Sequence, residues 1–156
     1  MQPSHREICD AFGYVPDPAR PGWLVRPQSS DTRFLDVYGR MEARVDEEGR
    51  ARISLMLGDI HRNVMGTTHG GFLLALVDHA LFMGPGLLGI ERAVGGVTID
   101  VSSQFLAPAT VNQPLDAVVE ILRDTYKMVF LRGTLEQDGN AVLAFSGLIK
   151  KASAKS

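Results

Sequence analysis

Between Gly70 and Ile90 the chain reads GGFLLALVDHALFMGPGLLGI, an almost wholly apolar run. Its length would suit a membrane span. Asp78 and His79 sit in its middle, however, where charge is expensive in lipid. Gly84, Pro85 and Gly86 predict that the helix ends after Met83, which leaves a rod of about 22 Å from His69 at 1.5 Å per residue. The run therefore reads as a helix of a soluble fold, with no membrane partner. A helix apolar on nearly every face needs cover on nearly every side.

The flanking sequence supplies strands to cover it. Met41, Ala43 and Val45 alternate with Arg40, Glu42 and Arg44, and Ala51, Ile53, Leu55 and Leu57 alternate with Arg52, Ser54 and Met56. The turn Asp46-Glu47-Glu48-Gly49 makes these two runs a hairpin with one wet and one dry face. Four more strand-like runs follow the helix, at 96–106, 114–124, 127–137 and 141–150, the last two joined at Gln137-Asp138-Gly139-Asn140. The order strand, strand, helix, four strands predicts an α+β domain: an antiparallel sheet of five to six strands wrapped around one central helix. The helix face left over calls for a second copy of the chain.

Residues 1–33 are punctuated by Pro16, Pro18, Pro21 and Pro27 and read as an irregular N-terminal extension, with a short helix near Ser4–Phe12. The domain proper is expected over 34–150, with a tail at 151–156. Sixteen basic against eighteen acidic side chains give a formal charge of −2. No positive field exists to hold a polyanion, so nucleic acid is excluded as a partner class. Cys9 is the sole cysteine, which rules out an internal disulfide and a cysteine zinc site, and points to the cytoplasm. His61, His69 and His79 lack the i, i+4 spacing of a zinc protease, so no metal is expected. No nucleophile-elbow serine motif or dinucleotide motif is present.

Two features carry chemistry. Asp78, among Leu, Val, Ala and Phe, reads as a buried carboxylate, which either pairs with an arginine or serves as a base with a raised pKa. Thr67-Thr68-His69-Gly70-Gly71 starts the same helix, where N–H groups are unpaired and positive in character. Adjacent glycines cost helix propensity, and a backbone site for an oxyanion would justify them. Gly70 and Asp78 lie eight residues apart, about 12 Å along a helix, too far to act on one carbonyl within one chain. Two helices antiparallel about a two-fold axis would bring Gly70 of one copy to Asp78 of the other. Asn63 either orients a water or shapes a turn. His79 points about 100° from Asp78 and is not its partner.

Asn63-Val64-Met65-Gly66-Thr67-Thr68-His69-Gly70-Gly71 followed by Leu76-Val77-Asp78 resembles the motif of hotdog-fold acyl-CoA thioesterases of the PaaI-like branch. The resemblance spans about residues 34–150. It implies a hotdog fold, hydrolysis of an acyl-CoA thioester to free acid and CoA, no cofactor, and a homodimer or dimer of dimers. It implies Asp78 as general base or nucleophile, the Gly70 N–H as carbonyl polariser, Asn63 on the water or substrate, His69 as loop support, and Thr98 as helper. Gly66, Gly71, Phe72 and His79 are then expected substrate contacts. Arg62, Arg92, Arg123, Lys127 and Arg132 are undiscriminated candidates for CoA. A non-catalytic hotdog protein that binds acyl-CoA or acyl chains is the alternative. A dehydratase acting on acyl carrier protein would need a differently placed histidine that the sequence lacks.

Overall fold

The computed structural model describes residues 3–28 and 33–153. Residues 1–2 and 29–32 of the extension and 154–156 of the tail lie outside them. The elements are α1 (Pro3–Phe12), β1 (Val15–Pro16), β2 (Leu24–Arg26), β3 (Met41–Val45), β4 (Ala51–Met56), α2 (Gly70–Leu87), β5 (Val97–Phe105), β6 (Pro114–Asp124), β7 (Met128–Gln137) and β8 (Asn140–Lys150). They build an antiparallel sheet in the order β1-β2-β3-β4-β6-β7-β8-β5 around α2. The predicted architecture stands. Its strand count needs correction: the sheet has eight strands, not five or six.

The two extra strands come from the extension, which is not irregular. Leu24, Val25 and Arg26 are all buried and pair with Ala43, Glu42 and Met41 of β3. Strand β1 adds two residues at the sheet edge, where the missing N–H of Pro16 is tolerated. Arg26, 2% exposed, pins this arm: it donates to Asp36 at 2.8 Å, to the Phe12 carbonyl at 3.1 Å and to the Gly39 carbonyl at 3.2 Å. A buried guanidinium satisfied on several sides makes the arm part of the core rather than a loose tail.

Helix α2 also departs from expectation, because it runs through Gly84-Pro85-Gly86 to Leu87. Pro85 deprives the preceding turn of one hydrogen bond, but the glycines beside it are there for close approach rather than for a turn. A Cβ on Gly84 would stand 2.6 Å from the Val119 side chain of β6, and one on Gly86 would stand 3.0 Å from Ile8 of α1. The helix instead stops at Gly89, which takes a left-handed φ of +84° while the Leu88 N–H donates to the Gly84 carbonyl. Helix α2 has the length and hydropathy of a membrane span, yet 67% of it is buried within the chain.

One side of this arrangement stays open. Among the described residues, strand β5 pairs with β8 alone and its other edge is free. A register shift between Thr98 and Asp100 interrupts its alternation, and the strand is exposed on both faces. Val97, Ile99, Val101 and Phe105 are 56%, 50%, 38% and 55% exposed. On the neighbouring helix, Gly71, Leu74 and Asp78 form an exposed stripe at helical spacing. Asp78 is therefore not buried among the apolar residues of its own chain, contrary to the sequence expectation. The all-round apolarity of the helix conceals which stripe the sheet leaves bare.

Candidate active site

The loop before α2 is built on its own side chains. Asn63 Oδ1 accepts from the N–H groups of Met65 at 2.9 Å and Thr67 at 3.1 Å, and its Nδ2 donates to Thr67 Oγ1 at 3.0 Å. Gly66 closes this turn at a φ of +86°, which glycine alone adopts without strain. Asn63 is thus occupied by the turn it shapes. His61, to which the sequence alone assigns no role, ties the loop to the body. Its Nδ1 accepts from the Gly58 N–H at 2.9 Å, its Nε2 donates to the Val37 carbonyl at 2.7 Å, and its own carbonyl accepts from the His69 N–H at 2.7 Å.

His69 caps α2. Its Nδ1 accepts from the Gly71 N–H at 2.9 Å, and its ring lies where a Cβ on Gly71 would come within 3.1 Å. A side chain at the second glycine would crowd the histidine folded over it. The cap removes one orphan donor of the helix start and leaves another: among the described residues, no group accepts the Gly70 N–H. The Phe105 ring stands beside this donor, 3.4 Å from where a Gly70 Cβ would lie. The open N–H carries the positive end of the helix dipole and faces an apolar wall.

Two turns further along, Thr98 Oγ1 of β5 donates to Asp78 Oδ1 at 2.8 Å. This bond holds the carboxylate at the far end of the open stripe from Gly71. The structure brings Asp78 and Thr98 together, and brings Asn63, His69 and Gly70 together at the helix start. It does not join these two groups within one chain.

Phe72 and His79 lie elsewhere. Both are buried, Phe72 against His61 (ring centroids 4.1 Å) and Tyr38 (5.7 Å), and His79 against Phe12 (5.0 Å) and Tyr38 (5.2 Å). Tyr38, also without a predicted role, donates to the Ala75 carbonyl at 2.8 Å and clamps the helix midpoint. These residues form an aromatic cluster under the N-terminal arm, away from the stripe that carries Asp78. The Tyr38 hydroxyl is pushed well above the usual phenol range, first by burial and then by the negative charge of Asp78.

Burial, reinforced by the positive charge of Arg26, lowers the His79 pKa to about 4. The unfolded chain binds this proton near pH 6.5, so between about 6.5 and 4 it holds more protons than the fold and stability falls as pH falls. The full contribution is present above that window, and the loss across it is about 3 kcal/mol at 1.36 kcal/mol per pKa unit. We expect His79→Phe, which keeps the aromatic packing, to lose markedly less stability than the parent between pH 7.5 and 4.5 in urea melts. Equal losses would show that His79 is not the group that titrates.

The class defined here is a hotdog fold with a helix-start amide and a mid-helix carboxylate on an uncovered face. The family described as the acyl-CoA thioesterase N-terminal domain matches residues 60–150, more than half of the chain. The protein belongs to that family and is a thioester hydrolase with the hotdog fold. It is similar to acyl-coenzyme A thioesterase 13 of Homo sapiens, 23% identical over 124 residues that cover 80% of this chain and 87% of the relative. Its fold is similar to zebrafish thioesterase superfamily member 2, with a TM-score of 0.68 at 20% identity over 80% of this chain and 91% of the other. It is likewise similar to a mutant form of the phenylacetic acid degradation protein PaaI of Thermus thermophilus, with a TM-score of 0.63 at 21% identity over 76% and 98%.

Proposed function

We propose that this chain hydrolyses acyl-CoA thioesters to a free acid and CoA, at sites completed by two copies packed about a two-fold axis. The observation that carries this reading is a carboxylate held by a hydroxyl on the uncovered face of the helix: Asp78, fixed by Thr98 Oγ1 at 2.8 Å. In the dimer, the Gly70 N–H of one copy faces Asp78 of its partner, since within one chain they stand about 12 Å apart along the helix. The free edge of β5, with its exposed Val97, Ile99 and Val101, supports this pairing, because an unpaired strand edge is a ready template for a second strand.

The thioester carbonyl accepts from the Gly70 N–H, with Phe105 as an apolar wall beside it. Asp78 takes a proton from water as the water oxygen bonds to the carbonyl carbon, and the negative charge grows on the oxygen facing Gly70. Collapse breaks the C–S bond, and the departing thiolate takes up a proton. Direct attack by the carboxylate, giving a mixed anhydride that water then opens, uses the same atoms. Asn63, His69 and His61 position the amide through the loop. The test is thiol release from a panel of short, long and aromatic acyl-CoAs, together with the mass in solution. We expect turnover of at least one ester by a dimer or tetramer. Binding of CoA esters with no thiol released from any of them would overturn the reading in favour of a non-catalytic carrier.

A further inference from the structure

The five cations that the sequence offered for CoA are not equivalent in the fold. Arg62 is ion-paired with Asp59, and Arg132 is paired with Glu120 at 2.9 Å. Arg92 and Lys127 instead come together, from distant parts of the chain, in a cavity of about 470 Å³ that Tyr126, Lys150 and Lys151 also line. We propose that this cavity binds the phosphates of the CoA moiety, with Arg92, Lys127 and Lys150 as the cations that hold them. The proposal rests on the acyl-CoA reading above.

Three observations carry it. The first is charge. The chain as a whole is slightly acidic, with a formal charge of −2, yet four cations line this one cavity. Only Lys151 has an acidic partner, Asp124, whereas Lys127 and Lys150 have none among the described residues. Such a concentration of uncompensated charge repels itself unless an anion shares it.

The second is preorganisation. Arg92 stands at a φ of +62°, a region that non-glycine residues rarely occupy. Its guanidinium donates to the carbonyls of Tyr126 at 2.8 Å and Ala152 at 3.3 Å, and it stacks 4.8 Å from the Tyr126 ring centroid. It is therefore held in place by neutral groups, which leave its charge unspent. A planar guanidinium with free N–H groups matches phosphate oxygens.

The third is position. Lys150 pairs across the sheet with Val97 of β5, and the next pair along is Ile149 with Thr98. Thr98 is the residue that holds the Asp78 carboxylate. The cavity thus lies at the end of the sheet that carries Thr98, with Lys150 on the opposite face of the strand pair, and the pantetheine arm of CoA would pass round the free edge of β5 to join the two. Tyr126, 72% exposed, offers an aromatic surface beside the cations on which the adenine can stack.

The test compares two substrates sharing one acyl group, an acyl-CoA and an acyl-pantetheine that lacks the nucleotide. The variant is Lys127→Glu combined with Lys150→Glu, two exposed positions whose reversal leaves the core intact. The expected result is a KM for the acyl-CoA raised roughly tenfold or more, as for loss of charge-assisted phosphate contacts, with kcat and the KM for acyl-pantetheine within twofold. Adenosine 3′,5′-bisphosphate should bind the parent in calorimetry and not the variant. An unchanged KM for acyl-CoA, or an equal rise for both substrates, overturns the proposal. If the parent cleaves neither ester, the thioesterase reading itself fails, and the bisphosphate titration still decides the cavity: binding lost in the variant supports it, and no binding to the parent overturns it.

Discussion

Replacing Asp78 by Asn is expected to lower kcat on acyl-CoA by about 10²–10⁴-fold, the range for a positioned acid–base group, while the dimer and KM stay close to those of the parent. Asparagine has the shape of aspartate, and its Oδ1 can still accept from Thr98 Oγ1 across the 2.8 Å contact. What disappears is the negative charge, and with it the ability to take a proton or form an anhydride. Because Asp78 is exposed on the single chain, its neutralisation removes no buried ion pair, and the fold should tolerate it. Urea melts and gel filtration check that point, and thiol release under saturating substrate checks the rate. Turnover within threefold of the parent would remove Asp78 from the chemistry. Thr98→Val should fall between, since the carboxylate remains but loses its anchor. A single turnover in ¹⁸O-water, followed by mass analysis of the protein, and trapping of an acyl-enzyme with hydroxylamine then separate the two routes. Label in the Asp78 carboxylate, or a trapped hydroxamate, requires the anhydride, whereas label in the acid alone with nothing trapped fits direct attack by water.

The arrangement of these groups was unevenly legible in the sequence. Alternation such as Met41-Ala43 against Glu42-Arg44 announces a half-buried strand, because burial on a sheet has a period of two, and β3 and β4 follow it. Strand β2 is only three residues long, too short for any period to show, and it holds its place through Arg26, whose partners are distant in sequence. Gly-Pro-Gly has two physical meanings. Glycine permits a turn, but it also permits contact, and at Gly84 the nearby Val119 decides for contact. Asp78 shows the same limit. Its apolar neighbours in sequence imply burial, yet exposure is set by which side of α2 the sheet covers, and that is a tertiary fact. Thr98 is implied as a helper by the resemblance alone, and its bond to Asp78, twenty residues away, is a finding of the fold. The helix start is the most readable part, since two glycines ahead of an apolar run mark an open backbone, but the cap is not: His69 is implied only as loop support, and Thr67 and Thr68 are the more usual capping side chains.

The proposed sharing of one site between two copies predicts a complementation that neither subunit can achieve alone. Gly70 is the first residue of α2, the position where proline fits a helix best because its N–H would be unpaired. The residue before it, His69, has φ −64° and ψ 128°, the extended conformation that a following proline requires. Gly70→Pro should therefore keep the helix and delete the one donor aimed at the thioester oxygen. A loss of about 10²–10³-fold in kcat is expected, the usual cost of an oxyanion donor, while Gly70→Ala, which keeps the N–H and meets Phe105 at an ordinary 3.4 Å, should retain most of the rate. Gly70→Pro and Asp78→Asn chains, each nearly inactive as homodimers, then differ in a way that mixing reveals. In a heterodimer, one of the two sites combines the intact Gly70 of the Asp78→Asn chain with the intact Asp78 of the Gly70→Pro chain, and the other site carries both lesions. Co-expression with two affinity tags should give heterodimers with about half the parent activity per dimer, as two-fold symmetry requires. Were Gly70 and Asp78 to act within a single chain, both sites of the heterodimer would be defective, and the mixture would stay at the level of its parts.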